Sequence, residues 1–181
     1  KMIDKPIVGL LHVIVYLGFL IINIELLEIL IDGITGSHRI FAPYLGSFYN
    51  FLIASFEVFA FLVLVSVIIF LARRNILNIK RFMSSEMKGW PKNDANIILY
   101  AEIILMSLFL TMNGADYWLQ LNSTNPTYIK AGSFPVSQFL LPFFNDLSVG
   151  KVIIIERMAW WSHVIGIFLF LNYLYYSKHL H

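Results

Sequence analysis

The chain has 181 residues, of which 59% are hydrophobic and 13% charged, with a formal net charge of +2. A soluble domain carries about 25% charged residues, so this balance excludes an ordinary water-soluble globule and implies an integral protein of the lipid bilayer. With no cysteine in the sequence, it holds no disulfide, no thiolate metal site and no cysteine-ligated iron–sulfur cluster.

Four apolar segments follow one another, each reaching roughly the 18 residues that a bilayer core demands of a spanning helix. The first covers about residues 7–31, between Lys5-Pro6 and Asp32-Gly33. The second covers about 48–72 and is ended by Arg73-Arg74. The third covers about 95–112, opened by the cap-like Asn93-Asp94 and closed by Asn113-Gly114. The fourth covers about 152–176. With no internal repeat and no linker, this predicts one all-α domain over residues 1–181, a four-helix transmembrane bundle. The chain starts at Lys1 and stops after Ser-Lys-His-Leu-His, which suggests a piece of a longer protein with room for a fifth helix.

The connections carry the topology. Lys1, Lys5, Arg73, Arg74, Lys80, Arg81, Lys88, Lys92 and Lys178 fall on one side by alternation, against Arg39, Lys130 and Lys151 on the other. That asymmetry puts both termini of the segment in the cytoplasm, as expected for a bacterial inner-membrane protein. Loops 32–47 and 114–151 then face outward. Within the second, the apolar stretch 134–144 is interrupted by Pro135 and Pro142 and is expected to lie on the membrane surface or cap the bundle.

His163 and His181 bracket the fourth segment eighteen residues apart. That is about five helical turns, so both rings lie on one stripe, about 27 Å apart along the axis. A polar stripe with an imidazole near each membrane face is costly in lipid, and a haem near each face would explain it. His12 lies near the cytoplasmic end of the first helix, at a depth similar to His181 across an antiparallel bundle. Two neutral imidazoles facing each other suit a haem iron. His179 lies about 200° around the helix from His181, so His181 is the ligand chosen. His163 needs its own partner. Ile22 stands where one is wanted on the first helix, and His38, in Gly-Ile-Thr-Gly-Ser-His-Arg, is the histidine on the correct side to fold back. Gly18 and Gly166 are small enough to admit a flat macrocycle.

The stretch from His163 through Gly166 and Ser177-Lys178 to His181 resembles the last helix of the nitrate reductase gamma-subunit superfamily. Gly9-Leu-Leu-His12, followed by Gly18, resembles that family's earlier haem helix. More closely, the chain resembles the membrane domain of bacterial iron–sulfur oxidoreductases related to the heterodisulfide reductase membrane subunit. The resemblance implies a cytochrome b domain with His12 and His181 as one haem-ligand pair and His163 as a ligand of a second haem. The family's fourth ligand falls at Ile22, a departure that leaves one or two haems open. It also implies haem b, electron exchange with a membrane quinone, and a cytoplasmic iron–sulfur module as partner.

Glu25, Glu28 and Glu57 lie inside apolar segments in the outer half, Glu102 sits in the third and Glu156-Arg157 opens the fourth. Intramembrane acids are costly and mark either structural ion pairs or a proton path. Two other classes of function therefore stand beside the cytochrome: a haem-free structural or assembly subunit, and a proton-translocating subunit. No phosphate loop, catalytic triad or zinc motif is present, and nothing supports nucleic-acid binding.

Overall fold

The computed structural model describes residues 6–76 and 90–176. Among these there is no strand. The helices are α1 (Pro6–Thr35), the one-turn α2 (Ala42–Leu45), α3 (Ser47–Asn75), α4 (Trp90–Asn122), a 3-10 helix (Ser137–Phe144) and α5 (Val149–Tyr176). α1, α3, α4 and α5 are each long and apolar enough to cross a membrane, so the fold is that of a multi-pass, all-helical membrane protein. Large apolar side chains such as Leu20, Phe51, Ile104 and Leu169 point outward, as a bundle solvated by lipid requires.

Each helix end has a local cause. Pro6 opens α1, where its missing N–H costs nothing. Gly36, at φ 71°, closes it with its N–H donating to the Asp32 carbonyl at 2.9 Å. Arg73 and Arg74 occupy the last turn of α3, where cations complement the helix dipole.

α1 packs on α3, α3 on α4, and α4 on α5, with the 3-10 helix laid across α4. The bundle has a terminal end, near Asn75, Asp94 and Tyr173, and a distal end, where the loops 36–46 and 123–148 sit. At the terminal end Tyr173 Oη donates to Asp94 Oδ1 at 2.6 Å, and Asn75 and Asn96 exchange side-chain amide bonds.

The far end of α4 departs from the sequence expectation. α4 runs through Asn113-Gly114 to Asn122 instead of ending at residue 112. Ala115, Trp118 and Leu119 fill a second small core with Tyr128, Phe144 and Val152, and that burial carries the helix past its apparent stop. Gly114 makes room for the 3-10 helix: a Cβ there would lie 3.2 Å from the Ser137 carbonyl oxygen. The 134–144 stretch does cap the bundle, with Ser137 and Phe144 buried.

Gly18 and Gly166 sit in helix–helix contacts. A Cβ at Gly18 would run into Val63 Cγ2 of α3, and one at Gly166 would lie 2.8 Å from Leu105 Cδ2 of α4. Gly18→Val should therefore push α1 off α3 and cost about 1–3 kcal/mol, the usual range for overpacking. Gly150→Ala, which meets nothing within 4 Å, should be neutral. Unfolding titrations in mixed detergent micelles compare the two, and equal stabilities would contradict this reading of the α1–α3 contact.

Candidate functional site

Between α1 and α5, in the terminal half of the bundle, lies a cavity of about 340 Å³ walled by α3 and α4. His12 reaches it from α1 and His163 from α5, so the structure brings these two histidines to one cavity. The wall is mostly apolar, with Asn23 and Glu102 as polar exceptions.

Both rings set Nδ1 on a backbone carbonyl, although His163 is buried and His12 is exposed. His163 is 2% exposed, rests against Phe109 at 5.7 Å between ring centroids, and has Nδ1 3.0 Å from the Leu105 carbonyl oxygen. His12 rests against Phe70 at 4.6 Å, with Nδ1 2.7 Å from the Val8 carbonyl oxygen. A carbonyl only accepts, so Nδ1 carries the proton in each ring and Nε2 of the neutral imidazole keeps its lone pair. An imidazole whose far nitrogen donates to a backbone carbonyl is oriented and made more basic, the usual preparation of a metal ligand.

The depth of His163 differs from expectation. α5 starts at Val149, so His163 lies about 21 Å down the helix at 1.5 Å per residue, near its middle and not at its outer end. Of the neighbouring tryptophans, Trp160 is buried under Gly33 while Trp161 is exposed. His179 and His181 lie outside the described residues.

His38 is not brought to His163. Its Nε2 lies 2.9 Å from Asp116 Oδ1, its ring packs edge-on against Tyr128, and Nδ1 faces an Arg157 Nη at 3.4 Å. The cause is the extension of α4, which carries Asp116 into the bundle opposite the 36–41 turn.

That turn anchors a buried polar network, and Arg39 is its centre. Held at φ 55°, Arg39 donates its backbone N–H to Asp32 Oδ2 at 2.7 Å. Its guanidinium donates to Asp116 Oδ2 at 2.7 and 2.8 Å, to Tyr49 Oη at 3.0 Å and to Asn113 Oδ1 at 3.3 Å. Burial alone would pull the Arg39 pKa down, but Asp116, Tyr49 and Glu25 hold it well above its ordinary value, so the cation persists. Tyr49 passes the chain on, donating to Glu28 Oε2 at 2.8 Å, and Glu28 Oε1 accepts the Phe41 N–H at 3.0 Å. Gln120 donates to Asp116 Oδ2 at 3.0 Å.

Glu156 Oε2 receives Arg157 Nε at 2.6 Å and Tyr128 Oη at 3.4 Å. Burial, then Glu156, pushes the Tyr128 phenol up, keeping it a donor. Asp116, Asn113, Gln120 and Tyr49 escaped the sequence reading. Asn113, Asp116 and Gln120 recur at helical spacing, a signal visible once α4 is allowed to continue.

No known protein family and no solved structure matches the chain. It is similar along its whole length to the EtfAB:quinone oxidoreductase of Syntrophomonas wolfei subsp. wolfei (strain DSM 2245B / Goettingen), at 27% identity over 186 residues, and spans 24% of that relative's length. The chain is thus an all-helical membrane protein similar to a quarter-length part of a quinone oxidoreductase.

Proposed function

We propose that this chain is the membrane electron-transfer domain of an oxidoreductase that exchanges electrons with membrane quinone, and that it does so as a cytochrome b-type domain holding haem b. The observation that supports the reading is the shared cavity of His12 and His163, each with Nδ1–H spent on a backbone carbonyl, which leaves the Nε2 lone pair of the neutral ring. The donor set and the apolar wall fit haem. His12 with His181 would hold one haem and His163 would ligate a second, at a depth different from that of His38. The iron, when bound, supplies the one-electron couple.

This chain's own residues do the positioning. The Leu105 and Val8 carbonyls fix the ring orientations, while Phe70 and Phe109 pack against the rings. Whole-length similarity to a quinone oxidoreductase supports the quinone link. In this reading residues 1–181 form one haem domain in a bacterial inner membrane, termini inward, facing a cytoplasmic iron–sulfur module.

Pyridine haemochrome quantification on purified protein made with ample haem tests the assignment. Wild type should carry one or two haems per chain. His163→Ala and His12→Ala should each lose haem, while His38→Ala should keep it. Folded wild-type protein without a Soret band, or a His163→Ala variant with full haem content, would overturn the cytochrome reading and favour a haem-free structural subunit.

A further inference from the structure

Two seams of the bundle are seated on glycine: Gly18 of α1 against Val63 of α3, and Gly166 of α5 against Leu105 of α4. Small residues of this kind let helices approach closely in lipid. α1 and α5 meet on a third seam. Its distal end is closed, with Trp160 Cη2 2.9 Å from where a Cβ on Gly33 would stand. Towards the terminal end the two helices part. There α1 packs on α3 and α5 on α4, and the His12–His163 cavity occupies the space between them.

The rim and the floor of that cavity differ in exposure. Of its lining residues, His12, Tyr16 and Asn23 on α1 and Leu171 on α5 are exposed, while α3 and α4 contribute only buried or half-buried ones. A cavity with its exposed rim on two helices and its floor on the other two opens sideways between the first two. Tyr16 is 64% exposed and Leu171 44%. Around these positions α1 also exposes Val13, Leu17 and Leu20, and α5 exposes Phe168, so the opening faces acyl chains and not water. Tyr16 lies about 15 Å along α1 from Pro6 at 1.5 Å per residue, well inside a hydrocarbon layer of about 30 Å.

We propose that the opening between Tyr16 and Leu171 is a lateral mouth through which the cavity takes its ligand, a largely apolar molecule dissolved in the bilayer. That this ligand is haem rests on the function proposed above; the mouth rests on the packing and exposure of α1 and α5. A molecule arriving from lipid meets the exposed His12 at the rim, and the buried His163 stands deeper in the cavity. Loading then follows membrane insertion of the four helices, because the seam and the acyl chains that feed it come together only in the bilayer. Leu171→Trp adds bulk at the mouth and should narrow it. Tyr16→Ala removes a ring from the opposite side and should widen it.

The test uses haem-free protein in phosphatidylcholine vesicles, photolabelled by trifluoromethyl-iodophenyl diazirine, which dissolves in the acyl chains, and read by tandem mass spectrometry. Ile104 is 57% exposed and serves as the lipid-facing standard, while Leu105 and Met106 are 5% and 7% exposed and line the cavity. Wild type should be labelled at Leu105 and Met106 as well as at Ile104. Relative to Ile104 their labelling should fall several-fold in Leu171→Trp and rise in Tyr16→Ala. Hemin supplied in the vesicle membrane should load in the same order of rates, followed by its Soret band, to the same final content. Leu105 and Met106 left unlabelled, labelled equally by a diazirine amino acid confined to water, or labelled equally in all three proteins would overturn the mouth, and haem uptake in that case would leave the cytochrome reading intact. The expected labelling in protein that takes up no haem would support the mouth and sink the cytochrome reading.

Discussion

Asp116→Ala, with Arg39 left in place, should destabilise the protein by about 3–5 kcal/mol, the cost of stranding one partner of a buried ion pair. Arg39 is 6% exposed and Asp116 1%. With the carboxylate gone, the guanidinium keeps only neutral acceptors, Tyr49 Oη and Asn113 Oδ1, and His38 and Gln120 each lose an acceptor too. The double variant Arg39→Met/Asp116→Leu should recover much of the loss, because replacing both charges with apolar groups removes the desolvation penalty along with the attraction. Equilibrium unfolding by dodecyl sulfate in maltoside micelles, followed by circular dichroism, reads both values. A single variant within about 1 kcal/mol of wild type would mean the pair is solvated and worth no more than a surface salt bridge.

The same pair shows what the sequence could and could not reveal. Apolar runs of bilayer length make the four long helices legible, since only a helix satisfies its backbone in lipid. Asn113-Gly114 reads as a stop on rules drawn from water-exposed helices. In a bundle facing lipid the polar side turns inward: Asn113, Asp116 and Gln120 are buried while Leu121 is exposed, so polarity there marked the core and not a loop. His38 is expected from the sequence to fold back toward His163, but its partner is Asp116, 78 positions away in sequence, and no local pattern announces that pairing. His12 and His163 were legible as costly polar residues in apolar helices. The depth of His163 was not, because it depends on where α5 begins, and Val149 enters the helix with Ser148 accepting the N–H groups of Lys151 and Val152.

Glu57→Leu should release the distal cap. Glu57 is fully buried in α3, and its Oε2 accepts the backbone N–H groups of Val136 at 2.9 Å and Ser137 at 3.0 Å, at the start of the 3-10 helix. The carboxylate thus serves as an N-terminal cap supplied from another helix, satisfying two donors that the 3-10 turn leaves open. Hydrogen bonds to a charged acceptor are worth about 1.5–3 kcal/mol each, so the loss should approach roughly 3–5 kcal/mol. Glu57→Gln keeps an amide oxygen in the same place and should cost well under half as much. The effect should also be local. Ser137 Oγ still donates to the Leu110 carbonyl, and Gln120 still brackets Ala131 from both sides, so amide exchange should rise most at residues 134–140 and least in α5. Exchange that rises equally across all four long helices in Glu57→Leu would assign the carboxylate to the stability of the whole bundle. Exchange confined to the cap would mean that a membrane-embedded acid is retained to hold a loop over the network of Arg39 and Asp116, closing the distal end of the bundle above Glu25.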